Sequence, residues 1–159
     1  KDWGWRLHVA SSEASLATGL MAVWSGCIWG AAEWGVPWDW TDIRLNTFAI
    51  LTLLALFLVL GRRTQPDGVE TRDTFATFGM YGFVLVPITY IATRFWQIRH
   101  PGPVVATNEG SLNSDMGLVL ALGAISFTML VTGHILSGMK LTKLELRFEE
   151  LQKEYEERF

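Results

Sequence analysis

Cysteine and histidine are scarce in this chain, and their scarcity excludes several classes of protein. The 159 residues include one cysteine and three histidines. The single cysteine, Cys27, cannot form an internal disulfide, and its apolar surroundings favour a small buried packing residue. No Cys-x-x-Cys-His run is present, so the chain is not itself a c-type cytochrome.

An excess of basic charge is also lacking, and four long stretches are nearly free of charge of either sign. The chain has 13 Lys and Arg against 16 Asp and Glu, a net charge of −3, which offers no electrostatic basis for nucleic acid binding. Stretches of about 18 to 20 apolar residues are long enough to cross a bilayer core as helices. They occupy residues 10–30, 43–60, 74–93 and 116–138.

These stretches predict an all-α fold, an integral membrane bundle of four transmembrane helices over residues 1–138. The first stretch is rich in Gly, Ala, Ser and Thr, a composition that favours close packing between helices. The third contains Pro87, which a membrane helix tolerates when its neighbours satisfy the freed carbonyl group.

The basic residues that flank the four stretches predict the orientation of the bundle, because short cytoplasmic loops carry an excess of Lys and Arg. One side of the predicted bundle holds Lys1, Arg6, Arg62, Arg63, Arg72, Lys140, Lys143 and Arg147. The other side holds Arg44, Arg94 and Arg99. We therefore expect a multi-pass protein of the cell (cytoplasmic) membrane. Both termini would be cytoplasmic, and residues 31–42 and 94–115 would face outward.

Residues 139–159 form a charged tail that predicts a separate cytoplasmic helix. Its apolar side chains recur three or four residues apart, which places them on one helix face. They are Leu141, Leu144, Phe148, Leu151 and Tyr155. We expect this amphipathic helix to continue the fourth span and to lie against a partner or the loop at Arg62.

The first outward loop is unusually rich in tryptophan. Four tryptophans fall close together at Trp29, Trp34, Trp38 and Trp40. Indole rings offer large rigid faces that suit stacking on a planar ligand, and Gly30 and Gly35 would let the backbone approach such a ligand closely. An aromatic belt at the membrane interface is the alternative interpretation, and the residues alone leave both open.

The second outward loop contains His100, which follows Arg94, Trp96 and Arg99 closely. Imidazole is a common axial ligand of heme iron, and guanidinium groups pair well with propionate carboxylates. A lone loop histidine is more often simply solvated, and each arginine has an alternative role as an interfacial anchor. The predicted proximity of this loop to the tryptophan cluster favours a heme pocket.

The first outward loop also carries a family resemblance. Residues 34–45, WGVPWDWTDIRL, resemble the WWD signature of the cytochrome c maturation protein C family, the CcmC or heme exporter protein C family. Residues 24–30 are similar to the lead-in of that signature, and residues 87–90, 95–96 and 100–102 are similar to a later family stretch. The resemblance runs in order along nearly the whole chain.

The resemblance implies heme presentation rather than enzyme catalysis. Family members bind heme at the extracytoplasmic face and present it to the heme chaperone CcmE, working with the ABC-type subunits CcmA and CcmB. The heme, expected to be heme b, would be held transiently as cargo. The matching position makes His100 the candidate metal ligand. The other expected heme-binding residues are Trp34, Trp38, Trp40 and Trp96 for the porphyrin, Arg44, Arg94 and Arg99 for the propionates, and Asp42, which would hold Arg44 or cap the second helix.

The chain departs from the family pattern at several points. Pro37 stands where a tryptophan is usual, and Thr41 is inserted before Asp42. The chain matches the last four of the six helices usual in the family. His8 is expected to precede the first helix on the cytoplasmic side. About 30 Å of hydrocarbon would then separate it from His100, so His8 could not ligate the same heme.

The resemblance implies two iron-ligating histidines on the outer face, and the one other than His100 belongs to the family's first two helices. That second axial ligand would here come from a separate chain that supplies the front helices, from a preceding segment, or from the partner chaperone. His134, near the cytoplasmic end of the last helix, is expected to face a partner helix, with a second ligand site as the alternative.

Other functions remain as alternatives. The leading one is a heme-free structural subunit that scaffolds the CcmA/CcmB complex through the cytoplasmic loop and tail. A b-type cytochrome anchor needs histidine pairs in the helix centres. It is disfavoured, because the predicted helices contain no such pair. A hydrolytic site is disfavoured as well, since no serine, cysteine or carboxylate is arranged with an outward-facing histidine.

Overall fold

A computed structural model of the protein describes residues 2–96 and 113–158. Within these ranges the chain forms four α-helices and no strand: α1 (Asp2–Trp34), α2 (Ile43–Thr64), α3 (Val69–Trp96) and α4 (Ser114–Glu156). All four are long and apolar enough to cross a membrane. The predicted all-α membrane bundle with four spans is confirmed.

The helices extend beyond the apolar stretches that predicted them. The first helix starts at Asp2 and the third at Val69, since backbone hydrogen bonding continues through polar residues outside the hydrocarbon. The expectation that His8 precedes the first helix is therefore wrong, because His8 lies within α1. At 1.5 Å per residue, about 39 Å of helix still separates His8 from Trp34.

The helices pack in the order α4, α1, α2, α3, with a smaller contact between α1 and α3. We call the end that holds Asp2, the α2–α3 loop and the end of α4 the terminal end. The opposite end, which holds the α1–α2 loop, is the loop end. Which end faces the cytoplasm is a prediction from the charges and stays one.

Glycines allow the helices to approach closely. A Cβ at Gly19 of α1 would lie 2.6 Å from Thr52 Oγ1 of α2, and a Cβ at Gly138 of α4 would lie 3.0 Å from the Ala10 Cβ of α1. Small residues at helix contacts are the usual means of close packing in membranes. The Gly- and Ala-rich composition of the first stretch therefore serves the contacts of α1 with two neighbours.

The start of the charged tail is docked at the terminal end. Thr142 is 3% exposed, and Leu146 packs against the buried cluster that includes Trp5 and Phe75. Arg62 of α2 lies 3.6 Å from a carboxylate oxygen of Glu145 in α4 and 3.6 Å from one of Glu13 in α1. Arg62 therefore connects three helices, including the tail.

A second arginine ties the α2–α3 loop to the start of α1. Arg72 donates to both carboxylate oxygens of Asp67, at 2.9 and 2.6 Å, and to Asp2 at 2.8 Å. Its guanidinium also lies 5.6 Å from the centroid of the Trp5 ring. The hydrogen bond from Arg72 lowers the pKa of Asp67 below its ordinary value of 3.8.

This pair predicts a pH-dependent contribution to stability. The pKa of Asp67 is lower in the folded state than in the unfolded state. The stabilisation by the Asp67–Arg72 ion pair is therefore complete above the unfolded-state pKa and is lost as the pH falls through the folded-state pKa. We expect Asp67→Asn to lower the free energy of unfolding by about 0.5–1 kcal/mol at neutral pH. The loss should vanish well below pH 3.8.

Thermal unfolding in detergent micelles across this pH range measures the effect. Asp73→Asn is the control, since the exposed Asp73 side chain makes no ion pair among the described residues. An Asp67→Asn deficit that stays constant with pH would contradict the assignment.

Candidate ligand site at the α1–α2 loop

The α1–α2 loop begins with a glycine that the backbone requires. Gly35 has a φ of +77°, in the left-handed region that is strained for residues with a Cβ. Its N–H donates to the Ala31 carbonyl at 3.2 Å, and this geometry ends a helix and redirects the chain. Gly35 therefore sets the direction in which the loop leaves α1.

Thr41 closes a turn within the loop. Oδ1 of Asp39 accepts hydrogen bonds from the Thr41 N–H at 2.8 Å and from the Thr41 hydroxyl at 2.7 Å. The Asp42 N–H donates to the Asp39 carbonyl at 3.0 Å. Aspartate commonly starts turns in this way, so residues 39–42 form a compact turn.

Asp42 caps α2, as its position before an apolar run predicts. Its Oδ1 accepts from the Leu45 N–H at 2.9 Å, which satisfies one of the free N–H groups of the first turn. Asp42 is only 5% exposed. Asp42 therefore fixes where the loop ends and the helix begins.

Asn46, which the sequence did not single out, holds the loop against α2. Its Nδ2 donates to the carbonyls of Asp42 at 2.7 Å and Trp40 at 2.9 Å, and lies 3.4 Å from that of Asp39. The sequence signal for this role was an asparagine four residues after the cap residue Asp42, which is about one helical turn. Its reach back to Trp40 depends on the folded loop.

A cavity of about 520 Å³ lies between α1 and α2 at the loop end. Small-molecule sites commonly have volumes of about 300–1,000 Å³. The walls are mainly apolar, with a few polar groups at the loop. The lining includes Trp29, Gly30, Trp34, Asp42, Arg44 and Phe48.

Two tryptophans of α1 form one wall of this cavity. The rings of Trp29 and Trp34 pack edge to face, with centroids 4.7 Å apart and planes at 73°. Gly30 between them is buried, and a Cβ there would lie 3.1 Å from the Val36 carbonyl oxygen. The backbone that approaches Gly30 is therefore the protein's own loop, whereas the sequence suggested a ligand.

The other two loop tryptophans form a separate pair. Trp38 and Trp40 pack edge to face with centroids 5.5 Å apart, and neither is among the residues that line the cavity. Trp40 is 82% exposed. The buried Nε1–H of Trp38 has no hydrogen-bond acceptor among the described residues.

The remaining predicted site residues fall at the end of α3 and beyond it. Arg94 and Trp96 lie in the last turn of α3 and are exposed. The predicted iron ligand, His100, and Arg99 lie outside the described residues. Within residues 2–96 and 113–158, no group of three His, Cys, Asp or Glu side chains could hold a metal ion. The structure thus brings Trp34, Asp42 and Arg44 together around one cavity, and adds Trp29 to them.

Four membrane-length helices and an aromatic cavity at one end define a helical integral membrane protein with a ligand-sized site. The sequence model of the family described as "Heme exporter protein C" matches residues 5–154. The chain belongs to this heme exporter protein C family.

Individual relatives agree with the family match. The chain is similar to heme exporter protein C of Bradyrhizobium diazoefficiens, with 29% identity over 93% of this chain and 59% of that protein. The protein of the same name from Rhodobacter capsulatus is 30% identical over 94% of this chain and 64% of its own length. That of Paracoccus denitrificans is 32% identical over 68% of this chain and 48% of its own. The chain therefore spans about three-fifths of the length of the first two relatives. No solved structure is significantly similar to it.

Proposed function

We propose that the chain binds heme b as cargo at the loop end and presents it for cytochrome c biogenesis. The cavity between α1 and α2, walled by Trp29 and Trp34, is the observation that carries the proposal. The family name, heme exporter protein C, supplies the class of ligand. The chain's part is binding and orientation, without a bond-breaking step.

The cavity suits a flat apolar macrocycle with charged edges. Indole faces and the Phe48 ring supply apolar contact, and aromatic rings interact favourably with a planar π system. Arg44 lies on the cavity lining, where its guanidinium would receive a propionate carboxylate. Arg94 and Arg99 are further candidates for the propionates, on the segment that leaves α3.

His100 is the proposed axial ligand of the iron. Its segment follows Trp96, which ends α3 at the loop end, so the chain leads from that end toward His100. A second axial ligand would come from a separate chain, a preceding segment or the chaperone. The proposed orientation places the loop end outside the cytoplasm, because most of the flanking basic residues lie at the terminal end.

The proposed partners follow from the same role. A CcmE-type chaperone would receive the heme at the loop end, where Trp40 is exposed. The ABC-type subunits CcmA and CcmB would contact the terminal end, where the tail begins beside Arg62. The proposal places the heme and the ABC subunits at opposite ends of the bundle.

The test is a heme titration of the purified protein in detergent. We expect added heme to show a shifted Soret band in the wild type. The shift should be lost in His100→Ala, and it should require about tenfold more heme in Trp34→Ala, because an aromatic contact is removed. Trp24→Ala is the matched control, since Trp24 is 73% exposed and does not line the cavity. Its titration should match that of the wild type.

A heme-free scaffold is the second candidate, and one feature favours it. The apolar side chains of the tail at Leu144, Phe148 and Leu151, beyond the predicted fourth span, are exposed. Such surfaces suit contact with other membrane subunits. Identical spectra for wild type and His100→Ala would overturn the heme proposal and leave the scaffold.

A further inference from the structure

The side-chain amide of Asn46 joins the first turn of α2 to the loop before it. The amide has two N–H groups, and its two shortest contacts, with the carbonyls of Asp42 and Trp40, use both. The contact with Asp39 at 3.4 Å is the weakest of the three. Asn46 is partly buried, and it does not line the cavity.

The bond to Trp40 differs in kind from the other restraints on the loop. The Asp39–Thr41 turn and the Asp42 cap each act over two or three residues, so they shape the loop locally. The Asn46–Trp40 bond spans six residues and fixes the loop carbonyl to a regular helix. Trp38 packs on Trp40 and directly follows Pro37, which lines the cavity, so the restraint extends along the loop toward the cavity.

We propose that Asn46 is a positioning residue for the ligand site. Its amide holds residues 36–42 in the shape that closes the cavity, and thereby sets ligand affinity without touching the ligand. The Val36 carbonyl lies over Gly30, and Val36 and Pro37 line the cavity, so loop displacement changes its wall. The identity of the ligand as heme rests on the proposed function, whereas the restraint on the loop does not.

Three substitutions separate the bonds. Asn46→Leu keeps the approximate size and removes both donors. Asn46→Asp keeps the shape and directs a carboxylate at backbone carbonyls. Asn46→Thr keeps a hydroxyl donor for the Asp42 carbonyl, four residues back. Thr47 makes the equivalent bond to the Ile43 carbonyl at 2.7 Å. The threonine side chain is too short to reach the Trp40 carbonyl.

Hydrogen exchange of the Thr41 and Asp42 amides tests the restraint without any ligand. We expect exchange to accelerate roughly tenfold in Asn46→Leu and Asn46→Asp, because two hydrogen bonds are lost. Asn46→Thr should fall between these variants and the wild type. Thr47→Val is the matched control, since it removes a helix-internal bond one residue on and should leave the loop amides unchanged. Unchanged exchange in Asn46→Leu would overturn the inference.

Heme titration of the same variants tests the effect on the site. We expect about tenfold weaker binding in Asn46→Leu, with an unchanged Soret maximum because His100 is intact, and wild-type affinity in Thr47→Val. Accelerated exchange with wild-type heme affinity would overturn the positioning role. A wild-type protein that binds no heme would refute the proposed function, and the exchange experiment would still decide whether Asn46 restrains the loop.

Discussion

Gly19→Ala is expected to lower the free energy of unfolding by about 1–3 kcal/mol, the usual effect of overpacking a tight contact. The added Cβ would lie 2.6 Å from Thr52 Oγ1 and 3.3 Å from Thr52 Cβ. Thr52 cannot turn away easily, because it is buried and its hydroxyl donates to the Phe48 carbonyl at 2.8 Å. The two helices must therefore separate. Detergent denaturation followed by circular dichroism measures the change.

Gly123→Ala is the control, since a Cβ there meets nothing within 4 Å. Alanine is the better helix former, so Gly123→Ala should be neutral or slightly stabilising. Adding Thr52→Ala to Gly19→Ala should recover part of the loss, because the opposing hydroxyl is removed. Equal stability of Gly19→Ala and Gly123→Ala would show that α1 and α2 are not in this contact.

Asp42→Ala is expected to lower the free energy of unfolding by about 1–2 kcal/mol, the upper range for loss of a helix cap. The substitution removes the acceptor of the Leu45 N–H and leaves space at a position that is 5% exposed. Thermal unfolding in detergent gives the difference in stability, and hydrogen exchange at Leu45 reports the cap itself.

Asp42→Asn separates capping from charge, since asparagine caps helices about as well as aspartate. We expect Asp42→Asn to recover most of the stability and of the Leu45 protection. If asparagine is as damaging as alanine, the negative charge of Asp42 matters more than its hydrogen bond, and the capping explanation is wrong.

The number of helices could be predicted from the sequence because membranes impose a simple rule. A backbone in hydrocarbon must satisfy its own hydrogen bonds, so each apolar stretch of sufficient length becomes a helix. The helix ends followed this rule less closely. The first helix includes His8, which was expected to precede it. The backbone of a helix continues through polar residues outside the hydrocarbon, so hydropathy alone does not mark where a helix begins.

The candidate site was predictable where the signals are local. Asp42 precedes an apolar run and caps it, a relation that needs only neighbouring residues. Trp29 belonged to the predicted tryptophan cluster, but its pairing with Trp34 in the cavity wall was not predicted, nor was the contact of Gly30 with Val36. Both depend on how the loop folds back over α1, which residue spacing does not specify.

The sequence by itself determined a four-helix membrane protein, its family and the concentration of tryptophans in one loop, because hydropathy and short motifs depend on residues close in the chain. Only the tertiary structure decided that Trp29 and Trp34 share a cavity while Trp38 and Trp40 pair elsewhere, and that Asn46 holds the loop. The rotation of each helix about its axis and the path of the loop result from packing between distant residues. Spacing along the chain cannot specify these relations.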